Sequence, residues 1–174
     1  MGIEREAWLN GALEGVLPQL MPAAHALVQA ASDIKSATSE LTALQVWAKP
    51  HGAPCVGFHL RHIAGSLDRL LTYARGENLN DAQFAELAAE SVTDESIAAA
   101  QLVESATNRI QATLDAISAT PEEILFDRRT VGRAHLPTNV FGLLFHLAEH
   151  TQRHTGQIVT TAKIVRMSCT PSPA

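Results

Sequence analysis

The sequence predicts an all-α protein: a four-helix bundle with a short loop or hairpin before its last helix. Two observations lead there. Aromatics make up 5% of 174 residues while 46% are hydrophobic, with Ala and Leu prominent, a balance that suits helices better than aromatic-rich strands. Apolar residues also recur at three and four spacings along several long stretches, the period of amphipathic helices. At this length a single domain is expected, over residues 1–167, followed by a flexible C-terminal tail over 168–174.

The first stretch runs from Trp8 to Ala31, with Leu13, Val16, Leu17, Leu20, Ala24, Leu27 and Val28 in helical phase. Pro18 and Pro22 each remove a ladder donor, so a kinked helix, or one beginning near Pro18, is expected. Ser32 to Pro54 reads as a linker with a short helical stretch around Leu41 to Ala48 and a turn at Lys49-Pro50-His51-Gly52. The second long helix should start after Pro54 and run to Arg75, with Gly76 just past its end. Its core face is set by Val56, Leu60, Ile63, Leu67, Leu70 and Leu71.

Asn80 to Glu90 reads as a short connecting helix. Thr93-Asp94-Glu95-Ser96, a capping-box pattern with acids in the first turn, predicts a third long helix from Thr93 to Ser118, closed before Pro121. Phe126 to Pro137 breaks the helical period and alternates around Arg129, Val131 and Arg133, so a loop or small hairpin is expected. Pro137-Thr138-Asn139 opens the fourth long helix, which should reach about Arg166.

Charge and cysteine content exclude several function classes. The net charge of -5 and the scattering of 13 Lys and Arg leave no basic footprint for nucleic acid. Cys55 and Cys169 form neither a disulfide framework nor a CxxC pair, and Cys55 reads as a packed residue at a helix start. The acidic N-terminus is unlike a signal peptide, and no stretch reaches about 18 apolar residues. A cytoplasmic protein free of membrane is the expectation.

The unusual feature is eight histidines, several of them closely spaced. On the fourth helix, His146, His150 and His154 stand four apart, so each successive pair can chelate an ion from adjacent turns. His146 and His154, eight residues and about 12 Å apart at roughly 1.5 Å per residue, cannot share one ion. The apolar arc of Val140, Leu143, Leu144, Leu147, Ile158 and Ala162 lies near His150 and His154, while His146 turns towards the polar side. A bundle builds such sites from facing helices, so a third ligand should come from the second long helix, which offers His59 and His62. Periodicity leaves these two nearly equal: His59 is nearer the centre of the apolar arc, and His62 lies at its edge beside Ser66, Arg69 and Tyr73.

The string GFHLRHIAGSLDRLLTYARG, containing His62-Ile63-Ala64-Gly65-Ser66, together with EHTQRHTGQIV, resembles the DinB-like (DinB/YfiT) superfamily of metal-dependent four-helix bundles. The likeness extends roughly from Pro54 to Val165 and is sharpest in these two segments. Matched position by position, it implies that His62, His150 and His154 hold one divalent metal ion with open coordination positions. Zinc or nickel is implied first, iron or manganese after them. It further implies a small-molecule substrate and either hydrolysis or transfer with a low-molecular-weight thiol. A homodimer through exposed helix faces is expected. The rival class is a non-catalytic bundle that binds a metal or small ligand in stress.

His59 is then expected as a core residue or neighbour of the site, and His146 at a solvated or dimer-facing edge. His146-x-x-Glu149-His150 matches the HxxEH of inverted zinc proteases in form, but no Asp or Glu follows Glu149 to complete that ligand set. Glu149 has an ion-pair partner four residues on, Arg153. A ferritin-like di-iron site needs two Glu-x-x-His motifs, which are absent. Asp68, Arg69 and Tyr73 are candidates for pocket lining, and Arg128, Arg129 and Arg133 are expected to be solvated.

Overall fold

A computed structural model describes residues 5–168. Six α-helices and one hairpin follow in order: α1 (Met21–Thr38), α2 (Ala43–Trp47), α3 (Val56–Ala74), α4 (Asp81–Ala89), α5 (Ala99–Ser118), β1 (Arg128–Val131), β2 (Leu136–Asn139) and α6 (Val140–Ser168). The four long helices form a ring in which α6 packs on α1 and α3, and α5 packs on the same two. α1 and α3 therefore occupy one diagonal, and α5 and α6 the other. Consecutive long helices on a diagonal require crossovers, and residues 39–55 and the hairpin region supply them. This order sets α3 beside α6, so the two histidine-bearing helices face each other.

The core follows the predicted faces. Leu27 and Ile34 of α1, Leu60, Ile63 and Leu67 of α3, Ile110 and Ile117 of α5, and Leu144, Leu147 and Ile158 of α6 are essentially inaccessible. Each such side chain contributes about 1.5–3 kcal/mol relative to exposure. Among the described residues no helix is long and apolar enough to cross a membrane.

One helix start follows the second of its two expected alternatives and another differs from expectation. The first helix begins at Met21, near the Pro18 alternative, and there is no long kinked helix from Trp8. Ala7–Asn10 form only a 3-10 turn, and Gly11 and Gly15 take φ of 88° and 75°, which breaks any continuous helix. Its far end passes the expected linker boundary at Ser32 and reaches Thr38, because Ile34 extends the buried stripe by another turn. The third long helix starts at Ala99 rather than Thr93. Asp94 Oδ1 accepts from the backbone N–H and the hydroxyl of Ser96, two residues on, and so closes a turn instead of capping a helix. The last helix includes Ser168, the first residue of the expected tail; residues 169–174, with Cys169, lie outside the described residues.

The remaining elements match their signals. Asn80 and Gln83 form a reciprocal capping box at the start of α4. Cys55 is buried at the N-cap of α3, its Sγ accepting from the Phe58 N–H at 3.4 Å. A Cβ on Gly57 would stand 2.6 Å from the Trp47 ring, so the missing side chain lets α2 seat on α3. Arg129 is not solvated as expected: its Nε donates to the Ala74 carbonyl at 2.7 Å, tying β1 to the C-terminal end of α3.

Candidate metal centre

α3 and α6 bring His62, His150 and His154 together. Each offers one ring nitrogen, and the three nitrogens lie within 4.8 Å of one another. The Nε2 atoms of His62 and His150 are 2.9 Å apart. His59, fully buried, places its Nδ1 2.9 Å from Nδ1 of His154 and so holds one edge of that ring. His146 remains at the rim, half-exposed, with its Nδ1 2.8 Å from Glu149 Oε1. Glu149 also accepts from Arg153 at 2.7 Å, the expected pair one turn on. The remaining histidines lie elsewhere: His25 donates through Nε2 to the Gly11 carbonyl, and His51 and His135 sit in turns at positive φ.

A carboxylate that periodicity did not single out completes the arrangement. Glu90, at the C-terminal end of α4, is buried, with Oε2 2.7 Å from His62 Nδ1 and Oε1 2.8 Å from Arg69 Nη1. With a neutral His62, the proton sits on Nδ1 facing Glu90, and the Nε2 lone pair points at the other histidines. Gly65 makes room for the ion pair, since a Cβ there would be 2.6 Å from both Arg69 Nη1 and Glu90 Oε1. Arg69 thus touches the site through Glu90. Asp68 instead binds Arg109 at 2.8 Å and Gln83 at 2.6 Å.

Electrostatics favour neutral imidazoles. Burial, reinforced by repulsion from a charged His62, lowers the pKa of His59 and His150 to about 4 and that of His154 to about 3. At neutral pH these rings are unprotonated, the form in which histidine binds metals. The Nδ1 of His150 is buried without a hydrogen-bond partner, whereas buried polar groups in a purely structural core are ordinarily satisfied. Three imidazoles, His150 and His154 held neutral and His62 backed by a carboxylate, therefore fit a divalent ion of the zinc or nickel type in their donor chemistry.

A cavity of about 300 Å³ opens against His150 and His146, with Arg69 and Tyr73 in its wall. A larger one, about 590 Å³, lies between α3, α4 and α5 and meets none of the three histidines; Glu90 lines it and is its link to the centre.

The fold and this cluster define a helical bundle with three histidines placed so that they could hold a metal ion. The chain belongs to the DinB superfamily, whose family model matches residues 26–158. Among solved structures it is similar to YfiT from Bacillus subtilis, a four-helix bundle of unusual topology, with a TM-score of 0.63 and 13% identity over 94% of this chain and 98% of that one. No curated protein matches the sequence.

Of the two histidines that the helical wheel could not separate, His62 is the one whose ring nitrogen groups with those of His150 and His154. Gly65 of the same segment has a steric reason to be small, while a Cβ at Gly156 would meet open space. Glu90 was missed because it lies 28 residues from His62, on a helix packed against α3 from outside. The one available signal was its position closing a short helix otherwise rich in alanine.

Proposed function

We propose that this protein is a metal-dependent enzyme of hydrolase or thiol-transferase type, with one divalent ion held by His62, His150 and His154. The carrying observation is the convergence of three ring nitrogens within 4.8 Å beside a cavity that reaches His150. A divalent ion there would supply a Lewis acid that brings the pKa of coordinated water towards about 7 or holds a small thiol as thiolate.

The chain's own residues prepare that chemistry. Glu90 keeps a proton on Nδ1 of His62 and aims its Nε2 at the centre, while Arg69 holds the second oxygen of Glu90. His59 orients the ring of His154 through their 2.9 Å contact. The cavity meets the centre at His150, where a small electrophilic substrate would approach. YfiT is described as a probable metal-dependent hydrolase, which supports the hydrolase half of the reading.

The test is elemental analysis of untagged protein beside His150→Ala and His154→Ala. Wild type should take up one equivalent of zinc or nickel and the variants far less; absence of stoichiometric uptake by wild type under metal-replete conditions sinks the proposal. Assays on ester and epoxide panels, with and without low-molecular-weight thiols, then separate water from thiol chemistry.

A further inference from the structure

The cavity beside His150 has a chemical character that narrows what it can take. Leu70 and Tyr73 of α3, Leu79, and Phe84 and Leu87 of α4 form most of its wall. Phe84 and Leu87 are 40% and 42% exposed, so α4 leaves two large apolar side chains in water at this opening. Isolated exposed apolar residues need no explanation, but here they converge on one concavity that ends at a histidine cluster. No carboxylate lines it. The one full charge in its wall, Arg69, is already paired with Glu90 at 2.8 Å. Outside the lining residues, the Arg133 guanidinium lies 5.7 Å from the Phe84 ring centre.

Resting on the metal-enzyme reading above, we propose that this cavity is the substrate subsite and that it takes a small, uncharged, predominantly apolar group, placing the reacting bond towards His150. Its 300 Å³ corresponds to on the order of ten non-hydrogen atoms, taking roughly 30 Å³ for each water-sized group. That size admits a short acyl, alkyl or single-ring body and excludes a folded peptide segment. A cation would lose water to an apolar wall that offers it no carboxylate. An anion would lose water to an apolar surface whose nearest guanidinium is committed to Glu90. A neutral apolar body gains from covering Phe84 and Leu87 and meets neither cost.

Three probes of one shape and different charge test this: cyclohexanol, cyclohexanecarboxylate and cyclohexylammonium, titrated into the full chain while leucine methyl resonances are followed. Cyclohexanol should shift the methyls of Leu70, Leu79 and Leu87, with half-saturation at about tenfold lower concentration than either charged probe. Leu87→Asp, at an exposed position that tolerates a carboxylate, should weaken cyclohexanol about tenfold and narrow its advantage over the ammonium. Equal binding of the ammonium, shifts confined to other leucines, or an unchanged response in Leu87→Asp would overturn the assignment. Zinc uptake is titrated in parallel. Lost probe shifts with zinc uptake intact defeat the subsite, whereas lost zinc uptake with shifts intact defeats the metal reading and leaves the cavity's preference standing.

Discussion

Oε2 of Glu90 lies 2.7 Å from Nδ1 of His62, joining the end of α4 to the middle of α3 at the edge of the three-histidine cluster. A carboxylate behind a ligating imidazole selects its tautomer and raises its basicity. Glu90→Gln keeps the shape and loses the charge, so zinc affinity should fall by about 10- to 100-fold with the three histidines intact. Competition against a chelator of known affinity measures this. Unaltered affinity would show that the contact does not support the centre.

Gly65→Ala tests the same ion pair by size. In an exposed helix interior, replacing glycine by alanine stabilises by about 1 kcal/mol. Here the added Cβ would stand 2.6 Å from both Arg69 Nη1 and Glu90 Oε1, so the pair must separate. Destabilisation of about 1–3 kcal/mol is expected in urea denaturation, the opposite sign. A stabilised variant would mean that Arg69 and Glu90 shift aside at no cost.

Acid should unfold the metal-free protein early. His59, His150 and His154 are held neutral by burial, with folded pKa values of about 4, 4 and 3 against 6.5 in a free chain. Above pH 6.5 neither state binds protons at these rings, and stability is independent of them. Below it the unfolded chain takes up protons that the folded chain refuses, so stability falls progressively until the folded pKa values are reached. Urea midpoints measured from pH 7.5 downwards should drop through this window, and His59→Phe should make the drop shallower. Because the rings repel one another, the three contributions do not add.

The divergence between sequence and structure follows from range. HxxxH spacing is a local property of one helix, and the phase of His150 and His154 against Leu143, Leu147 and Ile158 already turned them inward. His62 and His59, three residues apart on α3, both border the core, and only likeness to a family distinguished them. Glu90 reaches His62 through tertiary packing of α4, for which no periodicity exists. The start of α5 escaped for a different reason: Asp94 can close a turn on Ser96 or cap a helix, and these options differ by too little for local sequence to decide.

The last prediction concerns how α4 is held, because this helix supplies both Glu90 and the Phe84–Leu87 wall. Its N-terminal turn is fastened by Gln83, whose Nε2 donates to Asp68 at 2.6 Å and to Thr72 at 2.8 Å. Its C-terminal end is fastened by Arg61, which donates to the carbonyls of Ala89 and Val92 at 3.0 and 2.8 Å while lying over Trp47. Glu90 adds its contacts with His62 and Arg69 at that same end, and most of the remaining surface of α4 is exposed. Gln83→Ala removes the two hydrogen bonds that its Nε2 donates at a buried position and the one that its Oε1 accepts from the Asn80 N–H, while the Gln83 N–H keeps its bond to Asn80 Oδ1, a loss of about 1–3 kcal/mol borne by this helix. Hydrogen exchange should therefore quicken in Asp81–Ala89 while amides of α1 and α6 keep their protection. Cyclohexanol binding should weaken in the same variant, because Phe84 and Leu87 lose their fixed placement. Uniformly faster exchange across all four long helices would show instead that α4 unfolds only with the whole bundle.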